Sequence, residues 1–177
     1  DILDAYKLAL NYDFSINMDL IAGLSNESLT TFKKSVNKAI DCAPDNITIH
    51  TLSVKRGSTL KESGDETLSG NVVGQMVDYS YKKLTDNGYK PYYLYKQKNM
   101  IGNLENIGYF RDKPSIFNID SMEEFASIIA CGANAISKRY YSLDNKIERF
   151  ANLKNIDEYI NRIDEMIAKK AELFCKN

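Results

Sequence analysis

Alternation of apolar and polar positions divides the chain into short elements. Ile2, Leu3, Tyr6, Leu8, Ala9 and Leu10 recur at roughly three-to-four spacing within DILDAYKLALNYDF, which predicts an amphipathic helix at the start. Phe14 to Ile21 then alternates. Phe14, Ile16, Met18 and Leu20 fall on one side and Ser15, Asn17 and Asp19 on the other, as in a strand with one polar face. Ser28 to Ile40 carries Leu29, Phe32, Val36, Ala39 and Ile40 at helical spacing, with Ser25 or Asn26 available to cap it and Glu27 in the first turn. Asn46 to Leu52 alternates again through Ile47, Ile49 and Thr51. Strand, helix and strand within about forty residues predict a βαβ unit, hence a parallel pair with a right-handed crossover.

Beyond that unit the pattern is less regular. Val54 to Ser69 is polar and contains Gly57 and Gly64, as a loop does. Gly70 to Asn87 is helical through Val72, Val73, Met76, Val77, Tyr81 and Leu84, and Asn87-Gly88 ends it. Tyr89 to Tyr95 reads as an aromatic strand, and Pro91 confines it to an edge or a strand start. The stretch PYYLYKQKNMIGNLENIGYF, Pro91 to Phe110, has no period after Tyr95. It predicts an ordered loop that either faces a ligand or packs as a connector. Ser115 to Ile119 reads as a short strand. Glu124 to Ser137 is ambiguous between helix and strand around the small-residue segment Gly132–Ala135. That segment suits close approach by a ligand or by a neighbouring element. Leu143-Asp144-Asn145 predicts a hairpin turn, and Ile156 to Phe174 a single helix capped by Asn155.

Composition narrows the class. With 23 basic and 24 acidic residues in 177, a net charge of -1 argues against a nucleic-acid surface. Cys42, Cys131 and Cys175 fit no metal-ligand spacing and predict buried, reduced thiols in a cytoplasmic protein. A single histidine, His50, cannot hold a metal alone. No long apolar span is present, so no membrane partner is expected. The helical pattern already under way at Asp1 suggests a piece of a longer protein. In α/β sheets, ligands bind beyond the carboxyl ends of strands. Asp19, read at that end of the first strand, and Ser53, just after the second, are therefore candidate site residues. Asp19 serves equally as a cap for the following loop.

NMDLIAGL (Asn17 to Leu24), a helix and PDNITIHTL (Pro44 to Leu52) together resemble the last two barrel strands of the radical S-adenosylmethionine enzymes related to oxygen-independent coproporphyrinogen III oxidase. PYYLYKQKNMIGNLENIGY, CGANAISK (Cys131 to Lys138) and KNIDEYINRIDEMIAKK look like the coproporphyrinogen dehydrogenase branch. One departure is Gly23-Leu24-Ser25, where the family usually has a GLP turn. The resemblance implies an α/β fold. Residues 1–68 would be a partial (β/α) barrel remnant of two parallel strands with helices, and 69–177 an α+β carboxyl-terminal domain. It implies a parent enzyme that uses S-adenosylmethionine and a [4Fe-4S] cluster to decarboxylate tetrapyrrole propionates oxidatively to vinyl groups in heme biosynthesis.

The family's CxxxCxxC is absent from this sequence, so the chain is expected to be the carboxyl-terminal portion, inactive and without cluster on its own. The resemblance puts Asp19 on the ribose of S-adenosylmethionine, Ser53 on the adenine side and Ile136 against adenosine. It turns Tyr95, Gln97, Asn99, Asn103, Glu105 and Asn106 toward the substrate. Lys96, Lys98 and Arg111 suit its carboxylates or are simply solvated charges. No catalytic residue and no metal ligand is assigned. Strands removed from a barrel leave an open edge, through which self-association is expected. The alternative is a non-catalytic ligand-binding or assembly α+β module.

Overall fold

A computed structural model describes residues 1–53, 68–96 and 98–175. The loop expected over Val54 to Ser69 lies outside these except for its last two residues, and so does Gln97. The chain divides into two compact units, Asp1–Ile116 and Phe117–Asn177. The helix that follows residue 69 packs on the same sheet as the elements before it, so the first compact unit runs on to residue 116.

In the first unit, α1 (Ile2–Ala9) leads to β1 (Asn17–Ala22), α2 (Leu29–Cys42) and β2 (Asn46–Thr51). Then come α3 (Gly70–Asp86), β3 (Lys90–Tyr95), a short 3-10 turn (Ile101–Asn103) and β4 (Asn106–Phe110). The sheet order is β1-β2-β4-β3. β1 and β2 run parallel with Asp19 opposite Thr48, as the βαβ pattern requires, and β4 runs antiparallel to both β2 and β3. The sheet is therefore mixed. The stretch expected to be an aperiodic loop contains one of its two inner strands. NIGYF hides its strand period because Asn106, Gly108 and Tyr109 are all buried, so the two faces do not differ in polarity.

Ser28, rather than Ser25 or Asn26, caps α2. Its hydroxyl accepts from the Thr31 amide at 3.1 Å, and its own amide donates to Thr31 Oγ1 at 2.9 Å. α2 and α3 cover one face of the sheet. Phe32, Val36 and Ala39 meet Val73, Met76, Val77 and Leu84 over Ala22, Ile47, Ile49 and Tyr109. Each fully buried Ile or Leu in this layer contributes about 1.5–3 kcal/mol of transfer free energy. α1 is tied to the end of α2 by the Tyr6 hydroxyl, which donates to the Cys42 carbonyl. Buried Asn46 joins the two ends of the unit: its Oδ1 accepts from the Ser115 amide at 3.1 Å and its Nδ2 donates to Ser15 Oγ at 3.3 Å. Arg111, a candidate for substrate carboxylates, lies over the Tyr89 ring at 4.8 Å and donates to its hydroxyl at 3.1 Å.

Two glycine positions are dictated by close approach. A Cβ on Gly70 would lie 2.8 Å from the Gly102 Cα, so the 3-10 turn seats directly on the start of α3. A Cβ on Gly108 would overlap the ring of Tyr93 on the neighbouring strand.

The second unit contains α4 (Ile116–Glu123), β5 (Ile136–Tyr141), β6 (Lys146–Ala151), α5 (Ile156–Asn161) and α6 (Ile163–Cys175), the first residue of α4 closing the first unit. β5 and β6 form the expected hairpin, and Met166 and Leu173 of α6 are buried. SIFNI begins a helix rather than forming a strand. Its five residues are too few to separate the two periods, and Ile116 and Phe117 are exposed, so no sheet face recruits them. The single helix expected over Ile156 to Phe174 is two, broken at Arg162, where φ is -118°. Asn155 caps the first through the Glu158 amide at 3.0 Å. The thiols also depart from expectation: Cys131 and Cys175 are exposed and Cys42 is half-buried.

Replacing Gly108 with Ala should lower stability by about 1–3 kcal/mol through overpacking against Tyr93. The same change in a Tyr93→Ala background should cost less than half as much. Urea denaturation of the four-member cycle measures both, and equal costs in the two backgrounds would show that the ring is not the obstacle.

Candidate functional site

The face of the sheet opposite α2 and α3 is polar, and its side chains are linked across three strands. The parallel register places Asn17 and Asp19 of β1 beside Thr48 and His50 of β2. Tyr93 of β3 reaches Thr48 across the bare Cα of Gly108, with 3.3 Å between the two hydroxyl oxygens. Thr48 is 1% exposed and donates to Asn17 Oδ1 at 3.2 Å, so its own oxygen accepts from Tyr93. Asn17 Nδ2 donates in turn to Asp19 Oδ1 at 2.6 Å. The donors run in one direction and end on the Asp19 carboxylate.

Asp19 Oδ2 faces His50 Nε2 at 3.5 Å. The hydrogen bond from His50, its charge, the bond from Asn17 and the nearby Thr48 hydroxyl hold the Asp19 carboxyl below the ordinary carboxylate range, against the opposing effect of partial burial. Tyr93 titrates above the usual phenol range because of burial. The Asp19 side chain is nonetheless 58% exposed, and it opens into a concavity of about 430 Å³ shared with Ile21, His50, Leu52, Ser53 and Asn106.

Of the residues singled out by sequence, the fold brings Asp19, Ser53 and Asn106 to this concavity. Asp19 sits at the third position of β1 rather than at its carboxyl end, because the strand begins at Asn17 and continues to Ala22. Ser53 donates to the Lys98 carbonyl at 2.7 Å, and its backbone bridges Met100. Asn106 is buried and accepts from the Thr51 amide at 2.8 Å. The Glu105 carbonyl accepts from the Thr51 hydroxyl at 3.2 Å. Tyr95 ends β3 opposite Asn106. Asn99 and Asn103 occupy left-handed backbone positions, φ 62° and 56°, which Asn tolerates better than most residues. Gln97 lies outside the described residues. Ile136 belongs to the second unit, where it is the first residue of β5, opposite Ala151, and is exposed. Among the described residues no three of His, Cys, Asp and Glu come together as metal ligands.

Thr48, His50 and Tyr93 were not read as site residues. The signal for the first two was present, since alternation along Asn46 to Thr51 sends both to the face opposite Ile47 and Ile49. Tyr93 is found only once the β3–β4 pairing is known.

A carboxyl that ionises more readily in the folded chain than in the unfolded one stabilises the fold above its unfolded value. That stabilisation disappears as pH falls through the lowered folded value. Asp19→Asn should therefore unfold at lower urea than the parent at neutral pH, and the gap should close as the solution is acidified below the carboxylate range. Added salt should shrink it, because the pair is exposed. A gap independent of pH in a urea series would remove the ionic part of the account.

No family model matches the chain. Over 184 aligned positions it is 37% identical to the oxygen-independent coproporphyrinogen-III oxidase-like protein HemZ of Bacillus subtilis (strain 168), an alignment spanning 99% of this chain and 37% of that protein. Its fold is similar to that of coproporphyrinogen III oxidase (HemN) from Escherichia coli, a radical SAM enzyme. The TM-score is 0.62 over 93% of this chain and 37% of the other, at 15% identity, so this likeness concerns the fold alone. The chain spans little more than a third of the length of either protein. By sequence, nearly the whole of this chain is similar to part of an oxygen-independent coproporphyrinogen-III oxidase-like protein.

Proposed function

We propose that this chain is the carboxyl-terminal portion of a radical S-adenosylmethionine enzyme of the coproporphyrinogen III oxidase type. In this reading the polar sheet face forms part of its active-site wall, and β1 and β2 with their helices are the remnant of its (β/α) barrel. The observation that carries the reading is the state of Asp19. Its carboxylate is ionised and held in place by neighbours, yet more than half exposed in a concavity. An ionised carboxylate accepts about four hydrogen bonds. Asn17 and His50 occupy one site on each oxygen, which leaves two for the adjacent hydroxyls of a ribose. That is a fit for the ribose of S-adenosylmethionine. Ser53, its hydroxyl committed to Lys98, flanks the adenine as a small residue.

Bound S-adenosylmethionine with its [4Fe-4S] cluster supplies hydrogen abstraction in such enzymes. This chain's residues bind and orient. Asp19 fixes the ribose, and Tyr95, Asn99, Asn103, Glu105 and Asn106 lie toward a tetrapyrrole carrying propionates. The described residues do not fit the cluster, because Fe–S clusters are held by closely spaced thiolates and these form no such set. The cluster ligands are therefore assigned to the remainder of the parent enzyme, and this portion alone is inactive. The outer edge of β1, unpaired among the described residues, is the edge through which the isolated chain self-associates.

Equilibrium dialysis with adenosine and 2',3'-dideoxyadenosine tests the ribose assignment on this chain. The parent should prefer adenosine by roughly tenfold, as expected for a charge-assisted pair of hydrogen bonds. Asp19→Ala should bind the two ligands equally. Equal binding by the parent would end the assignment.

A further inference from the structure

The two oxygens of Asp19 are held from two different strands. Asn17, two residues earlier on β1, takes Oδ1 at 2.6 Å. His50 approaches Oδ2 from β2 at 3.5 Å, and its side chain is 36% exposed in the same concavity. The parallel register fixes this approach, because Ile21 lies opposite His50 and Asp19 opposite Thr48. The imidazole thus stands one position further along β2 on the same face than Thr48, where it reaches back to the carboxylate. The same row of the sheet also carries Thr48 and, beyond it, the Tyr93 hydroxyl. Neither carries a charge at neutral pH. His50 is the one histidine of the chain, and among the described residues it is the cation whose charge acts on the Asp19 carboxyl.

We infer that His50 is a positioning residue for Asp19. Its Nε2–H holds Oδ2 so that the carboxylate plane turns its two free acceptor sites toward a vicinal diol. With one oxygen tethered only to Asn17, the carboxylate rotates about its Cβ–Cγ bond and offers the diol a single acceptor at a time. The second tether removes that freedom before the ligand arrives, and a group ordered in advance costs the ligand less on binding. His50 therefore acts on diol selectivity, while its partly exposed pair with Asp19 adds only modestly to the fold. This inference rests on Asp19 as the ribose acceptor, but its geometric half, that His50 tethers the carboxylate, stands apart from any ligand.

Two measurements separate those halves. The first compares adenosine with 2',3'-dideoxyadenosine on the parent, His50→Phe, His50→Ala and His50→Gln. His50→Phe and His50→Ala should each lose roughly three- to tenfold in adenosine affinity with dideoxyadenosine unchanged, the size of one hydrogen bond. His50→Gln, which keeps an amide donor, should stay within about twofold of the parent. The second follows the Asp19 carboxyl by carbon NMR through an acid titration, assigned by its absence in Asp19→Asn. Its midpoint should rise in His50→Phe and His50→Ala, and fall part of the way back in His50→Gln. Equal loss of both ligands, no loss of either from a parent that prefers adenosine, or an unmoved Asp19 midpoint in folded His50→Phe and His50→Ala would overturn the inference. A parent without diol preference would instead end the ribose assignment, and the titration alone would then decide whether His50 tethers the carboxylate.

Discussion

Burial of β2 on both faces is the constraint from which the rest of this structure follows. Such a strand must be apolar where helices cover it and hydrogen-bonded wherever its other face is closed. Ile47 and Ile49 meet the first demand under α2 and α3. Asn46 and Thr48 meet the second, each fully buried and each bonded to a residue outside its own strand. Because strand side chains alternate, a slip of one residue would exchange the two sets and bury Asn46, Thr48 and His50 among the helices. The register with β1 is thereby fixed, and with it the row Thr48, Asn17, Asp19 and His50.

The site is a by-product of that packing. Thr48 cannot be left without a partner in the interior, so it draws in Asn17 on one side and Tyr93 on the other. Tyr93 can reach it only because Gly108 has no side chain. The network that satisfies a buried hydroxyl also delivers an amide donor to Asp19 at the rim, where burial ends and the concavity begins. The chain of hydrogen bonds that satisfies the interior thus reaches the group proposed to bind, and polar groups linked in this way support one another beyond their pairwise strengths.

How much of this was legible in the sequence varied with the element. The βαβ unit was legible because Phe32, Val36 and Ala39 on the helix and Ile47 and Ile49 on the strand follow their periods without interruption. Asp19 and Ser53 were picked from their places along those strands and do share a concavity. β4 was hidden because both of its faces are buried, so Asn106 and Gly108 carry no alternation. SIFNI misled because its apolar residues are exposed, so no packed face imposes a period. The start of β1 was misjudged because Phe14 continues the alternation, although in the fold it stacks on Tyr12 outside the strand. His50 escaped notice because its place beside Asp19 depends on pairing between strands, which a one-dimensional pattern does not state.

The two similar proteins are each more than twice as long as this chain, and the polar face is proposed as one part of a wider wall. The most direct test of that reading is chemical-shift mapping of adenosine on the isotope-labelled chain. The account predicts that the amides perturbed at low ligand concentration cluster on 17–21, 48–53 and 106. Perturbations confined to α2 and α3, on the opposite side of the sheet, would contradict it.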